Sequence, residues 1–222
     1  MKKLGAFLVG LGLVAGVASA ANVTSVNIVG YNKIDCPRGK FVLVTSAFKS
    51  INGLPLKSAD VFGDQLPEGS TIFAYDASAP VPAYVGDSLT FMGWDANITY
   101  KGGMAFWIYV DPYAPSNSYS VALAGEVPME SVSSNVVYSG FNMVGYPFTA
   151  STLWTNTAFA KEIEAKGDGT IFTYDSNAGY TGNSFTFMGW DNPNLVIQPG
   201  MGFWLYNTTV TYTNLELRPY NP

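Results

Sequence analysis

The chain has 222 residues, no histidine, one cysteine and a formal net charge of −5, with 15% aromatic but only 12% charged residues. Without histidine there is no Ser-His-Asp or Cys-His arrangement and no imidazole metal ligand, and one cysteine excludes thiolate zinc sites and an internal disulfide. An acidic chain without a Lys/Arg cluster has no footprint for nucleic acid and is disfavoured at anionic membrane surfaces, while its aromatic richness argues against disorder.

Residues 1–20 read as a cleaved secretory leader: Lys2 and Lys3, an apolar run, and the small residues Ala18-Ser19-Ala20. Its removal leaves 9 basic and 16 acidic residues, a net charge of −7. The chain is therefore expected to be exported, to the periplasm, the cell surface or the medium. No later segment is long and apolar enough to span a membrane as a helix.

The rest of the chain is written twice. In chain order, "FVLVTSAF" (41–48) pairs with "FNMVGYPF" (141–148), "STIFAYD" (70–76) with "GTIFTYD" (169–175), "GDSLTFMGWDAN" (86–97) with "GNSFTFMGWDNPN" (182–194), and "GGMAFWIYV" (102–110) with "PGMGFWLYN" (199–207). A weaker echo joins "SVNIVG" (25–30) to "SVALAG" (120–125), and the offset drifts only between 95 and 100 positions. This is a tandem duplication. The Pro- and Ser-rich stretch Asp111–Ser118 marks the expected join, giving repeats at 21–117 and 118–222. The strand-like "YSVALAGEVP" after it opens the second repeat or closes the first, and "TYTNLELRP" (211–219) has the same character.

Each repeat reads as five to seven short strands, β-branched and aromatic, bounded by Gly, Pro and Asp. Lys166–Thr170 carries an Asp-Gly turn signal. The second repeat predicts one helix over 156–167, with Asn156 or Thr157 as N-cap and Gly167 as stop. The matching place in the first fits one turn from Ser58 to Gly63. The fold class is all-β: two tandem homologous small β-sandwich or partly open barrel domains, each with one short helix.

The aromatic strands carry the candidate ligand-binding residues. In 102–110, Met104, Phe106 and Ile108 face one way and Trp107 and Tyr109 the other; in 199–207, Met201, Phe203 and Leu205 oppose Trp204 and Tyr206. Both faces are apolar, so each strand is either sandwiched between two layers or presents a platform suited to stacking on a sugar. Trp94 and Trp190 in FMGWD belong to a turn that anchors to the core or presents a ring. Gly103 and Gly200 read as positive-φ turns at the strand entries. Asp95 and Asp191 complete the candidate set, with Asp76 and Asp175 at equivalent strand ends. Those carboxylates open a glycoside-hydrolase reading, and Asp95-x-Asn97 and Asp191-x-x-Asn194 a calcium reading, but side chains capping their own turns account for both patterns. No cofactor, metal ligand set or catalytic residue is called. The sequons at Asn22, Asn97 and Asn207 are incidental beside a leader of bacterial style.

The second repeat, in its order "GFNMVGYPF", short helix, "IFTYD", Gly-Trp turn and "PGMGFWLY", resembles a class of repeats in exported bacterial surface proteins. The first departs from it with Ala105 in place of the second Gly of the final motif and Lys40-Phe41 at its opening strand. The resemblance implies an all-β accessory or surface module, often repeated within larger proteins, and brings no activity or functional residues with it.

The expectation is a non-catalytic cell-envelope or surface protein with a structural or adhesive role. Its partners would be other envelope proteins or a second copy of itself, met through exposed edge strands. The alternative is a carbohydrate-binding protein using Trp and Tyr platforms on a polysaccharide. A small outer-membrane barrel is a third reading, opposed by two globular repeats that each hold a helix.

Overall fold

A computed structural model describes residues 28–220, so the expected leader at 1–20 and the sequon at Asn22 lie outside the described residues. The first half runs β1 (Val29–Pro37), β2 (Phe41–Thr45), β3 (Leu56–Lys57), α1 (Ser58–Phe62), β4 (Thr71–Asp76), β5 (Ala83–Thr90), β6 (Gly93–Trp94), β7 (Thr99–Tyr100), β8 (Ala105–Tyr109) and β9 (Ser118–Glu126). The second runs β10 (Val132–Val137), β11 (Gly140–Gly145), β12 (Thr152–Leu153), α2 (Ala158–Lys166), β13 (Gly169–Asp175), β14 (Gly179–Thr186), β15 (Gly189–Trp190), β16 (Val196–Ile197), β17 (Gly202–Asn207) and β18 (Tyr212–Leu217). The protein is all-β.

Each half builds the same five-stranded antiparallel sheet, in the orders β2-β8-β4-β5-β6 and β11-β17-β13-β14-β15. A two-stranded ribbon accompanies each, β1-β9 in the first and β10-β18 in the second. All nine residues of β1 pair with β9, from Val29 opposite Glu126 to Pro37 opposite Ser118. This register closes the first half, so the stretch at 111–118 expected to join the repeats is an internal loop, and strand pairing changes sides between Glu126 and Val132. The echo between 25–30 and 120–125 has the same correction: Gly30 and Gly125 are partners in one ribbon, not equivalent positions of two repeats.

Both helices form where the capping residues place them. The Thr157 side chain accepts the Ala160 N–H, and Gly167 ends α2 in the left-handed region. The Asp-Gly signal at 168–169 lies in this helix-to-strand connection, not in a hairpin. In the first half Gly63 ends α1 after a single turn.

Alternation along the strands decides the packing. Phe106 and Ile108 of β8 face a core shared with Phe62 of α1, Ile72 of β4 and Val121 and Leu123 of β9. Phe203 and Leu205 of β17 face the matching core with Trp154, Phe159 of α2 and Ile171. The opposite faces meet each other: Leu43, Ala105 and Trp107 of one sheet pack with Met143 and Trp204 of the other. Each repeat thus layers its sheet on its own helix and closing strand, and the two sheets also pack on each other, which is why β8 and β17 are apolar on both faces.

The contact between halves is reciprocal. Thr45 N–H donates to Gly200 O at 2.9 Å, and Gly145 N–H to Gly103 O at 2.9 Å. Gly103 and Gly200 have φ of 78° and 83°, the positive values expected at the strand entries. Trp107 meets Tyr174 edge-on at 4.7 Å, and Trp204 meets Tyr75 at 4.8 Å. The two halves are related by an approximate two-fold axis.

Candidate functional site

FMGWD divides its labour along the chain. Thr90 pairs with Gly93 and Thr186 with Gly189, so Phe91-Met92 and Phe187-Met188 are the two-residue tips of tight hairpins. Gly93 and Gly189 take φ of 104° and 98°, which a side chain rarely adopts. Thr90 Oγ1 accepts the Met92 N–H and donates to Gly93 O, and Thr186 does the same for Met188 and Gly189. The next residue turns inward. Trp94 Nε1 donates to Gly63 O at the end of α1, and Trp190 Nε1 donates to Glu164 Oε1 on α2.

Two buried polar side chains hold the returning loops. Asp87 accepts the N–H groups of Ala96 and Ile98 and bonds the Ser58 hydroxyl. Asn183, at the same position, accepts from Asn192 N and donates to Asn192 O. Tips pinned in this way present their side chains to water without exception. Phe91 is 85% exposed, Met92 84%, Phe187 98% and Met188 84%.

A second apolar surface lies at the seam between the sheets. It has two lobes, of about 470 and 410 Å³. Trp204, Tyr75, Phe141 and Phe172 line one, and Trp107, Tyr174, Phe41 and Phe73 the other, with Tyr84 and Tyr180 shared by both. Among the described residues no charged side chain lines either lobe. Tyr84 and Tyr180 stand about half exposed, and Phe41 and Phe141 somewhat less. Partial burial raises both shared tyrosine hydroxyls above the ordinary tyrosine pKa, opposed by the Trp107 indole for Tyr84 and the Trp204 indole for Tyr180. The Trp204 Nε1 lies against Tyr180 without completing a hydrogen bond and has no partner among the described residues.

The candidates from sequence fall into separate roles. Trp107 and Trp204 are 6% and 7% exposed at the bottom of the cleft, each covered by the opposite sheet. Tyr109 and Tyr206 flank it, stacked at a tilt on Phe41 and Phe141. Trp94 and Trp190 anchor the hairpins. Asp95 and Asp191 are exposed beside the tips, and the Asp191 carboxylate accepts the Ser184 N–H. Asp76 and Asp175 cap their own turns, accepting from Ser78 and from Asn177 and Ala178, and these bonds lower both carboxyls from the ordinary value. Among the described residues no group of three or more Asp, Glu, Cys or His is placed to hold a metal ion, and no helix is long and apolar enough to cross a membrane.

Sequence reasoning passed over Tyr84 and Tyr180. The repeat alignment does bring them to one position, but Tyr180 sits between Gly179 and Thr181 on a Gly-rich strand, and nothing local marks Tyr84, between Ala83 and Val85, as lying on a shared seam. It also passed over the Phe-Met pairs, whose exposure follows from the two-residue turn. Comparison with family models, curated proteins and solved structures finds no match to this chain.

Proposed function

We propose that this is an exported, non-catalytic surface or envelope protein that works by protein–protein association through its two hairpin tips. One observation carries the reading: each repeat holds a Phe-Met pair out in water, at equivalent positions, on a turn fixed by Gly, Thr and an inward Trp. Neither core uses these side chains. Exposed large apolar residues on a rigid support mark interaction sites. The tips are preferred to the edge strands as the route to association because they hold large apolar side chains in water, while at the tip-bearing edge of each sheet the outer strand, β6 or β15, is two residues long and offers little backbone to extend.

Sedimentation velocity on residues 21–222 across a concentration series tests this. The wild type should gain mass with concentration, and the Phe91→Ser/Phe187→Ser variant should lose that dependence while keeping its melting temperature. A wild type that stays monomeric throughout would end the reading.

A second reading, a carbohydrate-binding protein, has support in the cleft, where Tyr84 and Tyr180 present half-exposed rings with hydroxyls. Intrinsic Trp fluorescence titrated with soluble polysaccharides tests it, since Trp107 and Trp204 floor the cleft. Saturable quenching lost in Tyr84→Ala would favour it.

A further inference from the structure

The geometry points to the partner surface: the Phe-Met tip of one copy seats in the aromatic cleft of another. This rests on the association reading above and names both sides of the contact.

Four observations meet here. The first is reach. β5 runs extended from Tyr84 in the cleft to Thr90 at the tip, and β14 from Tyr180 to Thr186, six residues each. At about 3.3 Å per residue each tip lies roughly 20 Å from the tyrosine on its own strand, so a tip does not fold back along its own strand into the cleft. A tip that fills the cleft belongs to a second copy.

The second is chemistry. Each lobe is lined by six aromatic side chains, whose neighbouring rings meet mostly edge to face, as Trp204 does with Tyr75 and Trp107 with Tyr174. A phenylalanine ring extends such a cluster, and a methionine sulfur packs favourably at ring edges. Each lobe falls within the size range of pockets that enclose small ligands.

The third is charge. Two copies of residues 21–222, each with a net charge of −7, repel, so they can approach closely only where neither presents an ionised group. The cleft lining has none, and neither has the tip from Thr90 to Gly93 or from Thr186 to Gly189. The same acidity works against insertion into an anionic bilayer, the main competing use of an apolar tip.

The fourth is preparation. The turn is already fixed by the Thr90 and Thr186 hydroxyls and by the Trp94 and Trp190 anchors, so docking orders little more than the two side chains themselves. There is one tip and one lobe per repeat. A tip-to-cleft contact is heterologous, so copies joined by it form an open chain unless the rotation closes a ring.

Complementation of two defective variants tests the inference. The tip variant replaces Phe91, Met92, Phe187 and Met188 with Ser. The cleft variant is Tyr84→Glu/Tyr180→Glu, with Phe41→Glu/Phe141→Glu as a second version should the first not give a wild-type thermal melt. Sedimentation of residues 21–222 should show each variant monomeric alone and association restored when they are mixed, because one supplies clefts and the other tips. A cleft variant in either version that still associates like the wild type overturns the inference but leaves the association reading standing, since the tips would then meet another surface. A mixture that stays monomeric, with both variants keeping wild-type melts, overturns it as well, since an intact tip and an intact cleft on different copies would then not suffice for contact. A monomeric wild type sinks both, and flotation of that monomer with phosphatidylcholine vesicles, lost in the tip variant, would assign the tips to a membrane.

Discussion

Thr45 and Gly145 occupy the same position of the two repeats and touch across the interface: a Cβ built on Gly145 would fall 2.3 Å from the Cβ of Thr45. The Thr45 hydroxyl donates to Met104 O at 2.8 Å, which fixes that side chain against the axis. Only one member of the pair can carry a side chain. Gly202, beside the axis, has the same cause, since its Cβ would lie 2.7 Å from Val44 O.

Gly145→Ala should destabilise the protein by about 3 kcal/mol, since the new methyl group has no room and its neighbour is held by a hydrogen bond. Adding Thr45→Gly should recover part of the loss, so that the double variant is more stable than the sum of the single effects allows. Urea unfolding of the four proteins in the cycle measures it, and strict additivity would contradict the contact.

Trp107→Ala and Trp204→Ala should each cost about 3–5 kcal/mol, the range for removing a large buried aromatic. Each also strips the edge contact from the tyrosine opposite, Tyr174 or Tyr75. A drop in urea midpoint of similar size for both variants is the expected result. An unchanged midpoint for either would show a ring that the opposite sheet does not cover.

Asp87→Ala should cost about 3 kcal/mol, because it leaves the Ala96 and Ile98 N–H groups without their partner. Asp87→Asn should cost less, since its amide oxygen keeps the Ala96 N–H as Asn183 keeps that of Asn192, although its NH2 cannot accept the Ile98 N–H. Thermal melts of both variants decide this, and equal losses would argue against the two positions being interchangeable.

Glu216 is 2% exposed on β18, where its carboxylate accepts the Phe159 N–H at the start of α2. Loss of solvent raises its pKa above the ordinary 4.5, against the opposing pull of the α2 amides, Asn214 and Lys161. A raised value means that the folded protein holds this proton more tightly than the unfolded chain does. Its contribution to stability is therefore fully present below pH 4.5 and lost as the pH rises through the folded value. Glu216→Gln should improve stability relative to wild type more at pH 7 than at pH 4, measured by thermal unfolding at both. A gain that is larger at pH 4 would reverse the sign and refute the account.

Cys36 is fully buried on β1, and burial, reinforced by the charge of Asp35, pushes its thiol up to about 12. At neutral pH almost none is thiolate, the form that reacts. An aromatic disulfide reagent should label it only as fast as the β1-β9 ribbon opens, with full labelling in denaturant. Rapid labelling of the native protein would show an open ribbon.

Much of this fold can be read in the sequence because its signals are local. Thr157 and Gly167 bound a helix by capping chemistry alone, and the alternation in 102–110 and 199–207 assigns each residue to a face. What covers the second face is not local: Trp107 meets Tyr174 only because one sheet lies on the other, and no spacing along the chain records that. The join fails for a related reason. A loop rich in Pro and Ser, such as 111–118, reads the same inside a repeat as between two, and only the register of β1 with β9 tells them apart. In FMGWD the choice between an anchor and a displayed ring was real, but the hairpin gives both answers within four residues, with Trp inward and Phe-Met outward.

The reciprocal aromatic seam also sets a timetable. Its partners stand far apart in the chain, Trp107 from Tyr174 and Tyr75 from Trp204, by roughly 70 and 130 residues, and contacts of such long range form late and slowly. While the polypeptide is being made, the first sheet stands complete with Leu43, Phe73 and Trp107 bare, waiting for β13 and β17. During that interval the half-finished product presents a sticky surface that the finished one conceals, and a neighbouring nascent copy offers the same face. Speed of completion, or a holder that masks the first sheet, then decides how much of the protein reaches its native pairing within one molecule.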